Sequence, residues 1–244
     1  AADTTQTPTT PNPKSASKPP STANTTANRH LRRHQITIFT LTFLSYASIH
    51  ATRESWSTMK TNFTNAKHYS SVTEGLCDTT FMIGFSLGTY IMGFLESKIN
   101  LKYAILIGQF CSAILVALIG ATSFLEWTSV PLFVFLWFVN GLMQSPSWPA
   151  MISVLSFWFP HRVRGTVMGV WSACGSTGNI FGAQISNLVL YVFGLNWRWC
   201  LIFTAGFVAV VGVVDYFVLV VHPEEVGLVM EEEEETAGPG DNLE

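Results

Sequence analysis

The sequence predicts an all-α membrane protein built on six transmembrane helices, and three observations carry that prediction. Of the 244 residues, 48% are hydrophobic and 12% are charged, against roughly 25% charged in an ordinary soluble domain. From Ile36 onward, apolar stretches recur with short polar breaks, each long enough to cross a hydrocarbon core that takes about 20 helical residues. One of them, AILIGQFCSAILVALIGATSFL at 104–125, is apolar all round, whereas a surface helix in water keeps a polar stripe.

Taken in order, residues 1–34 are rich in Thr, Ser, Pro and Asn and nearly free of large apolar groups. Such a segment cannot bury enough surface to fold alone and is expected to be a disordered, solvent-facing tail. Its Arg29, Arg32 and Arg33, with few acids around them, leave an organelle-targeting reading open. The bundle is expected over 35–222, with spans at Ile36–Trp56, Asp78–Leu95, Tyr103–Leu125, Val130–Phe157, Gly165–Phe193 and Trp199–Val221. Pro223 stops the sixth helix. The acidic run that follows, with Gly238, Pro239 and Gly240, makes 223–244 a solvated linker or tail.

Basic residues near the span ends mark the cytoplasmic side. One side holds Arg29, Arg32, Arg33, Lys98, Lys102, Arg162 and Arg164, the other Lys60, Lys67 and Arg198, so both termini are expected inside, in a membrane that the sequence leaves open (endomembrane or mitochondrial). Trp56, Trp127, Trp197 and Trp199 then fall near the outer interface and Trp158 near the inner one, as an aromatic belt requires. Small residues at four-residue spacing, Gly84/Gly88, Gly165/Gly169 and Gly178/Gly182, suit close helix packing in lipid. The four cysteines, Cys77, Cys111, Cys174 and Cys200, lie far apart without a C-x-x-C spacing and read as small packing residues.

Charge inside the spans is what raises function. Arg53 and Glu54 lie on the first, Asp78 opens the second and Asp215 lies on the sixth, and an ionisable residue in a span is a functional-site candidate by default. Tyr46, His50 and Arg53 stand at i, i+4 and i+7 and share one helix face, which continues to Ser57 and Lys60. A guanidinium is permanently charged and presents a planar fork of donors that suits phosphate or carboxylate. A tyrosine hydroxyl and an imidazole beside it can read the rest of a ligand. Snorkelling of Arg53 to the interface, or a structural pair with Asp78, remain open as alternatives. Nothing in the composition suggests a nucleic-acid surface, and no cofactor or metal motif is present.

Several stretches together resemble a known family. YASIHATRESWSTMK on the first helix, GFLESKINLKYAILIG between the second and third, NGLMQSPSWPAMISVLSFWF followed by RGTVMGVWSACGSTGNIFGA, and the exit HPEEVGL resemble the N-terminal half of the sugar-phosphate exchangers of the major facilitator superfamily, the relatives of glucose-6-phosphate and glycerol-3-phosphate transporters. The resemblance runs from about residue 31 to 228 and implies a six-helix half of a two-bundle rocker-switch antiporter. It would exchange a sugar phosphate or glycerol phosphate for inorganic phosphate without covalent chemistry, so no enzyme is expected. In this family the first-helix arginine binds the phosphoryl group, and Arg53 matches it. His50 and Tyr46 would shape the pocket and Lys60 would raise its positive potential. The sequence departs from its relatives at Glu54, where a second base is usual, and at Cys174 and Gly175, where bacterial members carry a histidine. The expected partners are a phosphate-containing small molecule, the lipid bilayer, and a C-terminal half or partner membrane subunits. A half-transporter kept as a non-transporting accessory subunit of a larger complex, and a homodimer that rebuilds twelve helices, are the alternatives.

Overall fold

A chain that crosses a bilayer satisfies its backbone polar groups as helices or as a closed barrel, and the described residues form helices joined by short connections. The computed structural model describes residues 22–95, 98–122, 124 and 129–228. The N-terminal tail through residue 21, Ser97, Trp127 and the acidic run from residue 229 lie outside the described residues. The helices are α1 (Thr22–Lys67), α2 (Ser71–Leu95), α3 (Leu101–Thr122), α4 (Val130–Gln144), α5 (Ser147–Trp158), α6 (His161–Trp171), α7 (Cys174–Asn187) and α8 (Arg198–Val218), with a π turn at Leu188–Val192 and a 3-10 turn at Pro223–Val226. By unbroken length and hydropathy, α3 and α8 each meet the requirement for a membrane span. α1 extends beyond its apolar stretch at both ends.

The fourth and fifth expected spans are each two helices rather than one. The fourth breaks at Ser145–Pro146, because proline has no N–H to donate and its ring crowds the carbonyl four residues back, that of Leu142. The Ser145 hydroxyl takes over and donates to the Leu142 carbonyl at 2.7 Å. The chain then re-enters α5, where Ala150 N–H donates to the Pro146 carbonyl at 3.1 Å. The fifth breaks at Ser172–Ala173, between α6 and α7, and there the Ser172 hydroxyl donates back to the Gly169 carbonyl at 2.7 Å. The side chain of Arg164 covers the end of α5, donating to the carbonyls of Ser156 at 2.8 Å and Phe159 at 3.2 Å.

The principal pairings are α1 with α7, α2 with α4 and α3 with α8, tied together by α1 against α8 and α3 against α4. Two of the three glycine pairs make these crossings. A Cβ on Gly178 would lie 2.2 Å from the Ala47 carbonyl oxygen and one on Gly182 would lie 2.3 Å from that of Ala51, so α7 lies directly on the α1 backbone. Gly84 and Gly88 do the same against α4, and Gly141 of α4 answers against Phe81. Gly165 and Gly169 face open space, so their four-residue spacing builds no crossing here.

Two apolar clusters fill the bundle. One gathers Trp158, Trp171, Met151, Leu155 and Ile105, the other Trp56, Phe63, Phe133, Trp137 and Cys200. The tryptophan belt expected from sequence is therefore corrected at three positions. Trp56, Trp158 and Trp197 are buried, and Trp199 is partly exposed. Two of the buried indoles find partners inside: Trp56 donates to Asp78 at 2.7 Å, and Trp158 donates to the Val220 and Val221 carbonyls, both at 3.1 Å. The outer faces of the spans instead expose aliphatic and phenyl groups such as Ile107, Ile114, Phe135, Val210 and Phe217. Cys77, Cys174 and Cys200 are buried free thiols, as packing residues would be.

Candidate functional site

The face of α1 that carries Tyr46, His50 and Arg53 packs inward, against α7 on one side and α4 on the other. Its placement follows from the small residues around it: Ala47 and Ala51 receive Gly178 and Gly182, and Gly175 leaves room for the imidazole of His50, 3.4 Å from where a Cβ would stand. Tyr46 is buried, with its ring 4.8 Å from that of His50, 5.1 Å from Trp148 and 5.6 Å from Trp171. His50 Nδ1 lies 3.4 Å from Asn179 Oδ1 on α7. Tyr46 and His50 thus sit together on one side of α1, with Tyr46 against Trp148 of α5 and Trp171 of α6.

Arg53 is held by α2 and α4. Its guanidinium carbon stands 4.8 Å from the centre of the Phe81 ring and 4.5 Å from that of Phe85, close enough for the ring quadrupoles to favour the cation. Its Nε donates to Gln144 Oε1 at 3.1 Å. Gln144 is fixed in turn, because its amide nitrogen lies 2.8 Å from Ser112 Oγ, 3.2 Å from Thr52 Oγ1 and 3.4 Å from Asn140 Oδ1. What remains is a set of donors without acceptors: Arg53 Nη2, Asn140 Nδ2 and Trp137 Nε1 are buried and unpartnered among the described residues. Buried polar groups in folded proteins are nearly always paired, so the free Arg53 Nη2 has capacity for an acceptor, and its positive charge favours an anionic one.

Lys60 stands apart from this set. Its ammonium pairs with Asp78 Oδ2 at 2.7 Å, and the other carboxylate oxygen takes the Trp56 indole. The structural pair between Arg53 and Asp78 that the sequence allowed is not made, because Lys60 and Trp56 occupy that carboxylate. Glu54 is half-buried on the same helix, and among the described residues it makes no ion pair with Arg53.

The major facilitator superfamily sequence profile matches residues 8–240. The chain belongs to the major facilitator superfamily. Within the superfamily its similarities point to the sugar-phosphate and organophosphate branch: it is 33% identical to sugar phosphate exchanger 3 of Homo sapiens, over 83% of this chain and 46% of that protein. It is 32% identical to a protein of Arabidopsis thaliana provisionally named glycerol-3-phosphate transporter 5, over 80% of this chain and 42% of that one. Among solved structures, the inward-facing, unoccupied bacterial homologue of the human lysosomal transporter Spinster superposes with a TM-score of 0.65 at 14% identity, covering 78% of this chain and 44% of that chain. The chain spans about half the length of the curated relatives it matches. Membership of the superfamily makes it a multi-pass membrane protein and a transporter relative rather than an enzyme, and its six-span bundle corresponds to one half of the major facilitator fold.

Sequence reasoning found the arginine but missed what holds it. Gln144, Asn140, Phe81 and Phe85 come from helices distant in the chain. A signal was present in the two amides, Asn140 and Gln144, spaced i and i+4 in an otherwise apolar stretch. Amide side chains at that depth are retained only when they are paired or have work to do.

Proposed function

We propose that this bundle forms the substrate-binding half of an organic-phosphate transporter that exchanges a sugar phosphate or glycerol phosphate for inorganic phosphate by alternating access. The observation that carries the proposal is the arginine: Arg53 is clamped by two phenyl rings and anchored through Nε, yet keeps Nη2 buried and without an acceptor among the described residues. A carboxylate partner would have neutralised it. Aromatic faces hold the guanidinium without cancelling its charge, which leaves the charge for a ligand.

In this reading Arg53 contacts the phosphoryl group, with Asn140 Nδ2 as a neighbouring neutral donor. His50 and Tyr46 line the pocket on the side where a sugar or glycerol moiety would lie. A second six-helix bundle, on further polypeptide or a partner subunit, supplies the opposing wall and the remaining positive charge, because alternating access is the rocking of one bundle against another around a midplane site. Both ends of the bundle face the cytoplasmic side in this proposal, on the count of basic residues near the span ends.

The test is counterflow of labelled phosphate in liposomes carrying a complete transporter that contains this bundle. Arg53→Ala is expected to lower exchange by on the order of 100-fold, the scale of losing a buried charged contact. Equal exchange with and without the arginine removes the assignment.

A further inference from the structure

A second buried polar cluster, apart from the arginine site, lies where α1, α3 and α8 meet. We infer that Ser45, Gln109 and Asp215 form a proton-binding site in which Asp215 is held as the neutral acid by an amide and a hydroxyl. All three side chains are buried, Asp215 and Gln109 completely.

The inference rests on counting hydrogens. Ser45 Oγ is within hydrogen-bond distance of two acceptors, the Leu41 carbonyl at 2.6 Å and Asp215 Oδ2, but a hydroxyl has one hydrogen to give. Gln109 Nε2 donates to the same Oδ2 at 2.8 Å. If Asp215 were ionised, these three contacts would have two hydrogens between them. Two further oxygens, Asp215 Oδ1 and Gln109 Oε1, are buried without a donor among the described residues. The deficit is therefore one of hydrogens, the opposite of the arginine site, where donors lack acceptors.

One proton on the carboxyl group reduces it, in either of two ways. Placed on Oδ2, it donates to Ser45 Oγ and frees the serine hydrogen for Leu41. Placed on Oδ1, it turns that unpartnered acceptor into a donor, and Gln109 Oε1 is an unpartnered acceptor on the side chain already bonded to Asp215. Either placement also removes a net charge from the buried bundle interior, where an isolated carboxylate is costly.

The surroundings supply little to hold a carboxylate instead. Lys102, two turns before Gln109, is the one charged residue of α3. The stretch of α1 from 36 to 49 carries no charged side chain and Tyr46 as its titratable one. α7 carries none and Cys174 as its titratable one, and the π turn adds Tyr191. On α8 itself the other charge is Arg198, at the opposite end.

The test is infrared spectroscopy of the full chain in bilayers at neutral pH. A protonated-carboxyl C=O band that shifts down in D2O is expected in the wild type and is expected to vanish in Asp215→Asn. Gln109→Leu keeps the acid but removes one donor to it, and is expected to move the same band to higher frequency, which preserves the test if Asp215→Asn does not fold. A wild-type spectrum without that band, or a carboxylate band lost in Asp215→Asn, overturns the inference. So does stabilisation of the wild type by sodium ions that Asp215→Asn abolishes, because the oxygens would then hold a metal cation.

Discussion

Arg53 and Gln144, on α1 and α4, are joined by a 3.1 Å hydrogen bond from Nε to Oε1. The same glutamine amide reaches Ser112 on α3 at 2.8 Å, so the orientation of the arginine is set by three helices. This makes Gln144 a sensitive place to test the anion site without touching the arginine. Gln144→Glu puts a carboxylate against the guanidinium and offers it an internal counter-charge. The apparent KM for phosphate in liposome exchange is expected to rise about tenfold or more, the consequence of losing 1.4 kcal/mol or more of binding. An unchanged KM means that the anion does not meet the arginine on this side.

The glycine crossings give a stability prediction with a built-in control. Gly178→Ala places a methyl 2.2 Å from the Ala47 carbonyl oxygen, a backbone atom that cannot swing aside, so α7 must lift off α1. The cost is expected to be about 1–3 kcal/mol, read as a lower unfolding midpoint in detergent. Gly165→Ala meets nothing and replaces a poor helix former by the best, for a gain of up to about 1 kcal/mol. Similar losses at both positions would mean that the α1–α7 contact is not as close as described.

How much of this was legible in the sequence depends on the range over which each feature is determined. The six apolar stretches are local properties, and all six are found as helical passages. The break at Pro146 has an equally local cause, but its repair depends on the Ser145 hydroxyl turning back to Leu142, which a hydropathy profile does not see. Glycine spacing was legible as a pattern but not as a contact: Gly178 and Gly165 sit in similar i and i+4 pairs, and only the first meets another helix. Arg53 stood out as a charge in an apolar run. Its clamp of Phe81 and Phe85 did not, since phenylalanines are abundant in every span and nothing local marks two of them as ligands of a cation.

Lys60 and Asp78 offer a discrimination between the charges on α1. Their 2.7 Å pair has side chains 27% and 42% exposed, and a pair that open to its surroundings contributes about 0–1 kcal/mol. The double variant Lys60→Met, Asp78→Asn removes both charges together. It is expected to keep exchange close to wild type with a small change in unfolding midpoint, in contrast to Arg53→Ala. A loss of exchange as deep as that of Arg53→Ala would place the Lys60 ammonium on the substrate as well.

The two phenyl rings make the last prediction. A guanidinium can be oriented by a carboxylate, by amide oxygens or by aromatic faces, and only the first removes its net charge. With rings at 4.8 and 4.5 Å, Phe81 and Phe85 restrict where the guanidinium can lie while leaving it able to attract an anion, each cation–π contact being worth about 0.5–2 kcal/mol. Phe85→Leu keeps an apolar side chain, though a smaller one, and removes one quadrupole. The KM for phosphate is expected to rise several-fold, with the unfolding midpoint little changed, because aliphatic packing against α4 is largely kept. Phe85→Tyr keeps the ring face and is expected to restore the KM. If Phe85→Leu and Phe85→Tyr behave alike, the ring serves as packing alone and the orientation of Arg53 rests on Gln144.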